Sequence, residues 1–206
     1  MSKKVAIINY GVGNHFSVQK KLAFLGYDVT TTNDPVEIKN CDKIILPGVG
    51  HFGKAMENLN NLDLVSVLNE EVLEKRKPIL GICLGMQLMA AEGEEGQSKG
   101  LNWFDAKVER FEIENTLTHK VPHTGWNQIK ICKDSVLNKT LTAESEFYFV
   151  HSYHFNCKQD SDVLYRTEYE SSFVSAVEKN NIYGVQFHPE KSHDTGLQLI
   201  KNFIEL

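Results

Sequence analysis

The sequence is short of several features that would each point to a class of protein. Its 206 residues include only four cysteines, Cys41, Cys83, Cys132 and Cys157, and no two form a C-x-x-C pair. That scatter argues against a structural zinc site or a disulfide framework, so a reducing, cytoplasmic setting is the expectation. With 14 glycines and 5 prolines there is no collagen-like or low-complexity stretch, and a hydrophobic share of 41% excludes disorder. Basic charge is not in excess. The formal net charge of −5 disfavours a nucleic-acid partner, which would require a basic face. No apolar run approaches bilayer-spanning length, so no membrane association is expected. The start, Met1-Ser2-Lys3-Lys4, leads into only four apolar residues, Val5 to Ile8, too few for a signal-peptide core.

What is present is an alternation of strand-like and helix-like stretches. Val5–Tyr10 reads as a first strand, followed by helical spacing from Phe16 to Leu25. Asp28–Thr32 and Lys43–Leu46 read as strands, Leu62–Lys77 as a helix stopped by Pro78, Pro78–Cys83 as a strand and Leu84–Glu92 as a helix. This order predicts a parallel sheet with helices on both faces. The second half is richer in strands: Ala106–Phe111, Trp126–Cys132, Glu146–Phe155, Val163–Tyr169, Phe173–Glu178 and Ile182–Phe187, closed by a helix over Thr195–Leu206. The expected fold is therefore α/β: three layers, a mostly parallel sheet flanked by helices, with an antiparallel strand extension. No repeat or linker divides the chain, so residues 1–206 are expected to form a single domain.

The sharpest chemical signal is Gly81-Ile82-Cys83-Leu84-Gly85, at a strand-to-helix junction. It matches the G-x-nucleophile-x-G elbow with Cys in place of Ser, and the positive end of the following helix would lie beside the sulfur. A buried, inert cysteine on a core strand is the alternative reading. Gln87, one helical turn on, would share the face of Cys83. Late in the chain, a strand ends in His188-Pro189-Glu190, where residues two apart in extended backbone point the same way, so Glu190 can bond the His188 imidazole. A cysteine, a histidine and an orienting carboxylate are the parts of an acyl-transfer triad. Pro47-Gly48-Val49-Gly50, directly after a strand, can supply backbone N–H groups to an oxyanion, although it also reads as an ordinary turn. His15, His51, His119 and His193 read as loop residues. Gly11-Val12-Gly13 is followed by Phe16 where a dinucleotide fingerprint needs Gly, and His151 and His154 lack metal-ligand spacing. No metal or cofactor is expected.

Together these motifs resemble the class I glutamine amidotransferases and, among them, the glutaminase subunits of imidazole glycerol phosphate synthases. The resemblance runs through Tyr10–Asn14, Leu46–Gly50, Leu80–Gln87, Pro122–Asn127, Tyr148–Tyr153 and Gly184–Ser192, essentially the whole chain. It implies a Cys83, His188, Glu190 triad that hydrolyses glutamine. It also implies an oxyanion hole from Val49, Gly50 and Leu84, and a glutamine pocket of Gly48, Gln87, Glu95, His151, Ser152 and Tyr153. Glu92, Glu94 and Glu95 also read as a solvated acidic run. The elbow, the His-Pro-Glu and their scaffold fill the chain, leaving no room for an ammonia acceptor site. The resemblance supplies a heterodimer partner, a phosphate-binding (β/α)-barrel synthase subunit docked near Asn14, His123, Trp126 and Tyr148. The chain departs from the common pattern at His15, Phe16 and Thr124, in segments that resemble partner-facing parts. The acceptor could thus belong to histidine biosynthesis or to a bacterial surface-sugar pathway. A stand-alone γ-glutamyl hydrolase or peptidase, and a non-catalytic partner-binding module on the same scaffold, are the competing readings.

Overall fold

The computed structural model describes residues 3–114, 119–142 and 144–206. Its first half alternates strand and helix: β1 (Lys4–Ile8), α1 (His15–Phe24), β2 (Asp28–Thr32), α2 (Pro35–Asn40), β3 (Lys43–Gly48), α3 (Phe52–Asn61), α4 (Leu64–Asn69), β4 (Ile79–Cys83) and α5 (Leu84–Gln87), with α2 and α3 added to the stretches the periodicity predicts. Short strands β5 (Glu92–Gly93) and β6 (Ser98–Lys99) follow, then β7 (Ala106–Arg110), β8 (His123–Gln128), β9 (Lys130–Ile131), β10 (Glu146–His151) and β11 (Tyr153–Cys157). The chain ends with β12 (Val163–Tyr169), β13 (Ser171–Lys179), β14 (Ile182–Val185) and α6 (His193–Ile204).

The large sheet runs β2-β1-β3-β4-β14-β13-β11-β7-β5-β6, with β12 and β9 branching from β13. From β2 to β14 neighbouring strands are parallel, and at β14–β13 the sheet turns antiparallel. Period-two alternation sorts the parallel strands into two cores. Ile8, Ile44, Leu46 and Ile79 pack against α3 and α4 through Phe52, Leu59, Leu64 and Leu68. Val5, Ile7, Ile45, Leu80 and Ile82 pack on the other face against α1 and α6 through Val18, Leu22, Leu199, Ile200 and Phe203. These are the three layers expected.

The structure corrects several boundaries. The helix expected over Leu84–Glu92 stops at Gln87, because the N–H groups of Leu101, Trp103 and Asn102 bond the carbonyls of Leu88, Met89 and Ala90 and turn the chain away. The helix expected over Leu62–Lys77 begins at Leu64 and widens into a π-helical turn over Glu70–Glu74, where Lys75 N–H reaches back to Glu70 O. Trp126–Cys132 is two strands: among the described residues β8 pairs with β10 alone, as a separate two-stranded ribbon, while β9 joins β12. Glu146–Phe155 likewise breaks at Ser152 into β10 and β11. His15 and His193 are not loop residues; each opens a helix.

Candidate active site

The elbow brings the sulfur to the end of β4. Cys83 has φ +54° and ψ −109°, an unusual backbone for any residue that carries a Cβ, and it is 6% exposed. Its flanking glycines are required by space. A Cβ on Gly81 would lie 2.7 Å from the backbone nitrogen of Met86, and one on Gly85 would collide with the Leu46 carbonyl. The elbow is therefore pressed onto β3, whose last residue faces Cys83 in register. A Cβ on Gly48 would lie 2.5 Å from Tyr10 Oη, and Tyr10 in turn donates to Pro47 O at 2.7 Å, fixing the approach to the Gly48-Val49-Gly50 turn. Gly50 has φ +125°. The Leu84 N–H belongs to the first turn of α5, where no helical carbonyl precedes it.

His188 and Glu190 arrive beyond β14, the strand next to β4. His188 Nδ1 lies 2.8 Å from Glu190 Oε1, and both side chains are buried. The segment is held from both sides: His188 N–H bonds Tyr148 O at 2.9 Å, and the Ser192 hydroxyl donates to His188 O at 2.7 Å while accepting from Tyr148 N–H at 3.0 Å. Nε2 of His188 and Oε2 of Glu190 are buried, and among the described residues neither meets a partner at full hydrogen-bond geometry. Burial opposes a charge on the ring, but the neighbouring Cys83 sulfur and the Glu190 carboxylate outweigh it and raise His188 to about 10. Both neighbours thus favour the protonated form of the imidazole.

Above Cys83 opens a cavity of about 330 Å³ lined by Val49, Gly50, Cys83, Leu84, Gln87, Glu95, Pro122, Val150, His151, Ser152 and Tyr153. It gathers the residues expected for the oxyanion hole and nearly all of those expected for the pocket. Glu95 is not part of a uniform acidic run. Its Oε2 accepts from Phe52 N–H at 2.8 Å, whereas Glu92 and Glu94 face Lys107 at 3.8 and 3.9 Å. His151 donates from Nδ1 to Tyr153 O at 2.8 Å, which leaves its Nε2 to accept from His123 Nδ1 at 3.1 Å. Burial lowers both rings, His151 to about 3 and His123 to about 4. His123 therefore turns inward, 3% exposed, whereas Trp126 is 45% exposed on the same ribbon. Asn14 caps α1 by accepting from Ser17 N–H, and Tyr148 is half-buried.

Sequence reasoning singled out neither Gln186 nor Ser192. Gln186, fully buried, donates to Cys83 Sγ at 3.6 Å and accepts from Gln87 Nε2 at 2.9 Å. Both residues stand within motifs already recognised, but a strand pattern does not say which polar side chain turns inward. Among the described residues no cluster of His, Cys, Asp or Glu could hold a metal ion, and no helix is long and apolar enough to cross a membrane.

An elbow cysteine and a buried His–Glu pair stand at adjacent strand ends of an open α/β sheet, and residues 6–206 match the family model of glutamine amidotransferase class-I: the chain belongs to that family. Within it, the chain is similar to the imidazole glycerol phosphate synthase subunit HisH 2 of Methanococcus maripaludis, at 48% identity over 98% of either chain. It is 43% identical to the HisH 2 subunit of Pseudomonas aeruginosa, covering 98% of this chain and 99% of that one, and 45% identical to the HisH subunit of Moorella thermoacetica, covering 99% and 95%. Among solved structures, PurLQS from Thermotoga maritima shares the fold, with a TM-score of 0.75 and 15% identity over 100% of this chain and 99% of that one. The chain is thus an enzyme of the glutamine amidotransferase class.

Proposed function

We propose that this chain is a single-domain glutaminase subunit that hydrolyses glutamine and passes the ammonia to a (β/α)-barrel synthase subunit. The observation that carries the reading is the His188–Glu190 pair, 2.8 Å apart and buried, beside an elbow cysteine that floors the cavity. The Cys83 thiolate attacks the side-chain amide carbon of glutamine. The oxyanion is received by the Leu84 N–H and one from the Gly48-Val49-Gly50 turn, each such donor worth about 3 kcal/mol of barrier. Protonated His188 gives its proton to the departing nitrogen, and ammonia leaves. The neutral imidazole then takes a proton from water, whose oxygen attacks the thioester; glutamate leaves and the thiolate–imidazolium pair is restored. Glu190 holds the ring through Nδ1. Gly48, Gln87, Glu95, His151, Ser152 and Tyr153 surround the amino-acid end of the substrate.

The named relatives favour an acceptor that becomes imidazole glycerol phosphate and AICAR in histidine biosynthesis, in the cytoplasm, where a reactive thiol stays reduced. One observation favours a second acceptor. Phe16, which stands where the family often has Arg, is 70% exposed at the start of α1, two residues from Asn14. A docking face so altered suits a different barrel protein, such as one feeding amidine formation on a surface sugar. Glutamate release by the chain with each barrel protein present tests both readings; stimulation by one alone identifies the acceptor, and turnover that no barrel protein changes refutes the partnership.

A further inference from the structure

The hydrogen-bond directions around Cys83 can be traced from one backbone carbonyl. Tyr153 O can only accept, and it takes Gln87 Nε2 at 3.0 Å, which settles which end of the Gln87 amide faces it. The same nitrogen donates to Gln186 Oε1 at 2.9 Å, so the Gln186 amide is oriented in turn, with its nitrogen toward Cys83 Sγ at 3.6 Å. Gln186 is 0% exposed, and its backbone N–H is held by Ser175 O at 2.9 Å. Gln87 lines the cavity and Gln186 does not, so a substrate above the sulfur leaves the Gln186 contact in place. A fully buried amide costs desolvation that an apolar side chain of the same size would avoid. That cost goes into a fixed donor aimed at sulfur.

We propose that Gln186 is a positioning residue for the glutaminase reaction: its amide N–H holds the Cys83 sulfur and its negative charge, and Gln87 sets the direction of that amide. The proposal rests on the reading of Cys83 as nucleophile. Sulfur carries charge twice in the cycle, before attack on glutamine and when it leaves the thioester, and an oriented donor stabilises both moments. It also assigns the free atom of Gln87. Both hydrogens of Nε2 are taken by Tyr153 and Gln186, so only Oε1 remains for substrate, and it receives an N–H of glutamine rather than its carboxylate.

Gln186→Met keeps the volume and removes the donor. In the chain hydrolysing glutamine, kcat is expected to fall by about tenfold to a hundredfold, with KM within about twofold. Labelling of Cys83 by iodoacetamide without substrate, followed on its own peptide by mass spectrometry, should slow by at least about fivefold. A loosened fold would have the opposite sign, because a more exposed Cys83 labels faster. Gln186→Glu, which sets a carboxylate against the sulfur, should slow labelling further than Met does. Rates of labelling and turnover within twofold of the unaltered chain would overturn the proposal. Loss of hydrolysis in Cys83→Ala together with an unaffected Gln186→Met overturns only the role of Gln186; hydrolysis retained in Cys83→Ala overturns the reading of the nucleophile itself. Should Gln186→Met fail to fold, Gln87→Met reads the same arrangement: slower labelling of Cys83 supports it, and unchanged labelling refutes it.

Discussion

His193 lies flat on Trp126, with ring centroids 4.9 Å apart and planes 6° from parallel. Trp126 also meets the edge of Tyr148 at 6.0 Å, and the carbonyl of Tyr148 holds the backbone N–H of His188. The exposed indole is thus joined to both elements that carry the His188–Glu190 segment, β10 and the start of α6. A partner that packs on Trp126 therefore presses on the frame of the proposed proton donor. Trp126→Ala should weaken binding of the barrel subunit by at least about tenfold, as loss of a central aromatic anchor does, while glutamine hydrolysis by the free chain stays within about twofold. Titration calorimetry and a glutamate assay read the two quantities separately; unchanged affinity would remove Trp126 from the docking face.

The triad assignment makes a graded prediction. Cys83→Ala should abolish glutamine-dependent activity of the complex and leave its activity with supplied ammonia. His188→Ala should be nearly as severe, whereas Glu190→Gln, which keeps a base but loosens the ring held at 2.8 Å, should cost less. Trapping of the thioester after acid quench ranks the three. A Glu190→Gln protein as active as the unaltered one would show that Glu190 does not orient the imidazole.

The glycines of the elbow should be the least replaceable positions near the site. Gly85→Ala drives a Cβ into the Leu46 carbonyl on the neighbouring strand, and backbone there cannot move aside as a side-chain tip can. A loss of about 3 kcal/mol or more is expected, read by urea unfolding. Gly50→Ala makes a useful contrast. A Cβ there meets nothing within 4 Å, and only the φ of +125° resists it.

These contrasts show what a sequence can and cannot convey. Gly81–Gly85 and His188–Glu190 were legible because each motif is local: a strained turn needs its small neighbours, and a carboxylate two residues from a histidine shares its side of an extended chain. Gln186 was not, since its partner Cys83 stands 103 residues away. The Ser192 clamp spans 44 residues to Tyr148 and was equally invisible. Alternation marked β8 and β10 as strands, but it is the same whether a strand joins the main sheet or leaves it as a ribbon. α3 went unread although Phe52, Ala55, Met56 and Leu59 recur at helical spacing and are all buried. The length of α5 depended on bonds from residues 101–103 to the carbonyls that would have continued it.

The His123–His151 pair predicts acid sensitivity. Burial holds the two rings at about 4 and about 3, below the unfolded value near 6.5, so the unfolded chain binds more protons in that interval. Stability therefore falls as pH drops from about 6.5 toward 4. His188 acts in the other direction: raised to about 10, it contributes stability that is full below about 6.5 and fades as pH rises through 10. His123→Asn, which can still donate toward His151, should flatten the acid limb of a plot of unfolding free energy against pH. An unchanged limb would assign the acid transition to other groups.

Control by the partner is expected to act at the Gly48-Val49-Gly50 turn. Glutamine hydrolysed without an acceptor wastes ammonia, which is protonated in water and loses its nucleophilicity, so a resting state short of one oxyanion donor serves the pathway. The turn has the freedom that a second arrangement would need. Gly48 is wedged against Tyr10 and Leu84 and cannot move freely, whereas Val49 is 39% exposed and Gly50 is open on its Cβ side at positive φ. Rotation of a peptide plane between them would bring an N–H into or out of the cavity that Val49 and Gly50 already line. Gaining that donor is worth about 3 kcal/mol, which corresponds to somewhat more than a hundredfold in rate and requires no larger rearrangement. The acceptor-loaded barrel should therefore raise glutamate release by at least about a hundredfold over the free chain, entirely in kcat if the turn alone moves. Gly50→Ala, by penalising one of the two arrangements, should compress the ratio, raising the resting rate if the strained form is the inactive one and lowering the stimulated rate if it is the active one. Steady-state assays of free chain, complex and loaded complex distinguish these outcomes. A free chain already as fast as the loaded complex would show that the turn is no switch and that the chain works as a hydrolase by itself.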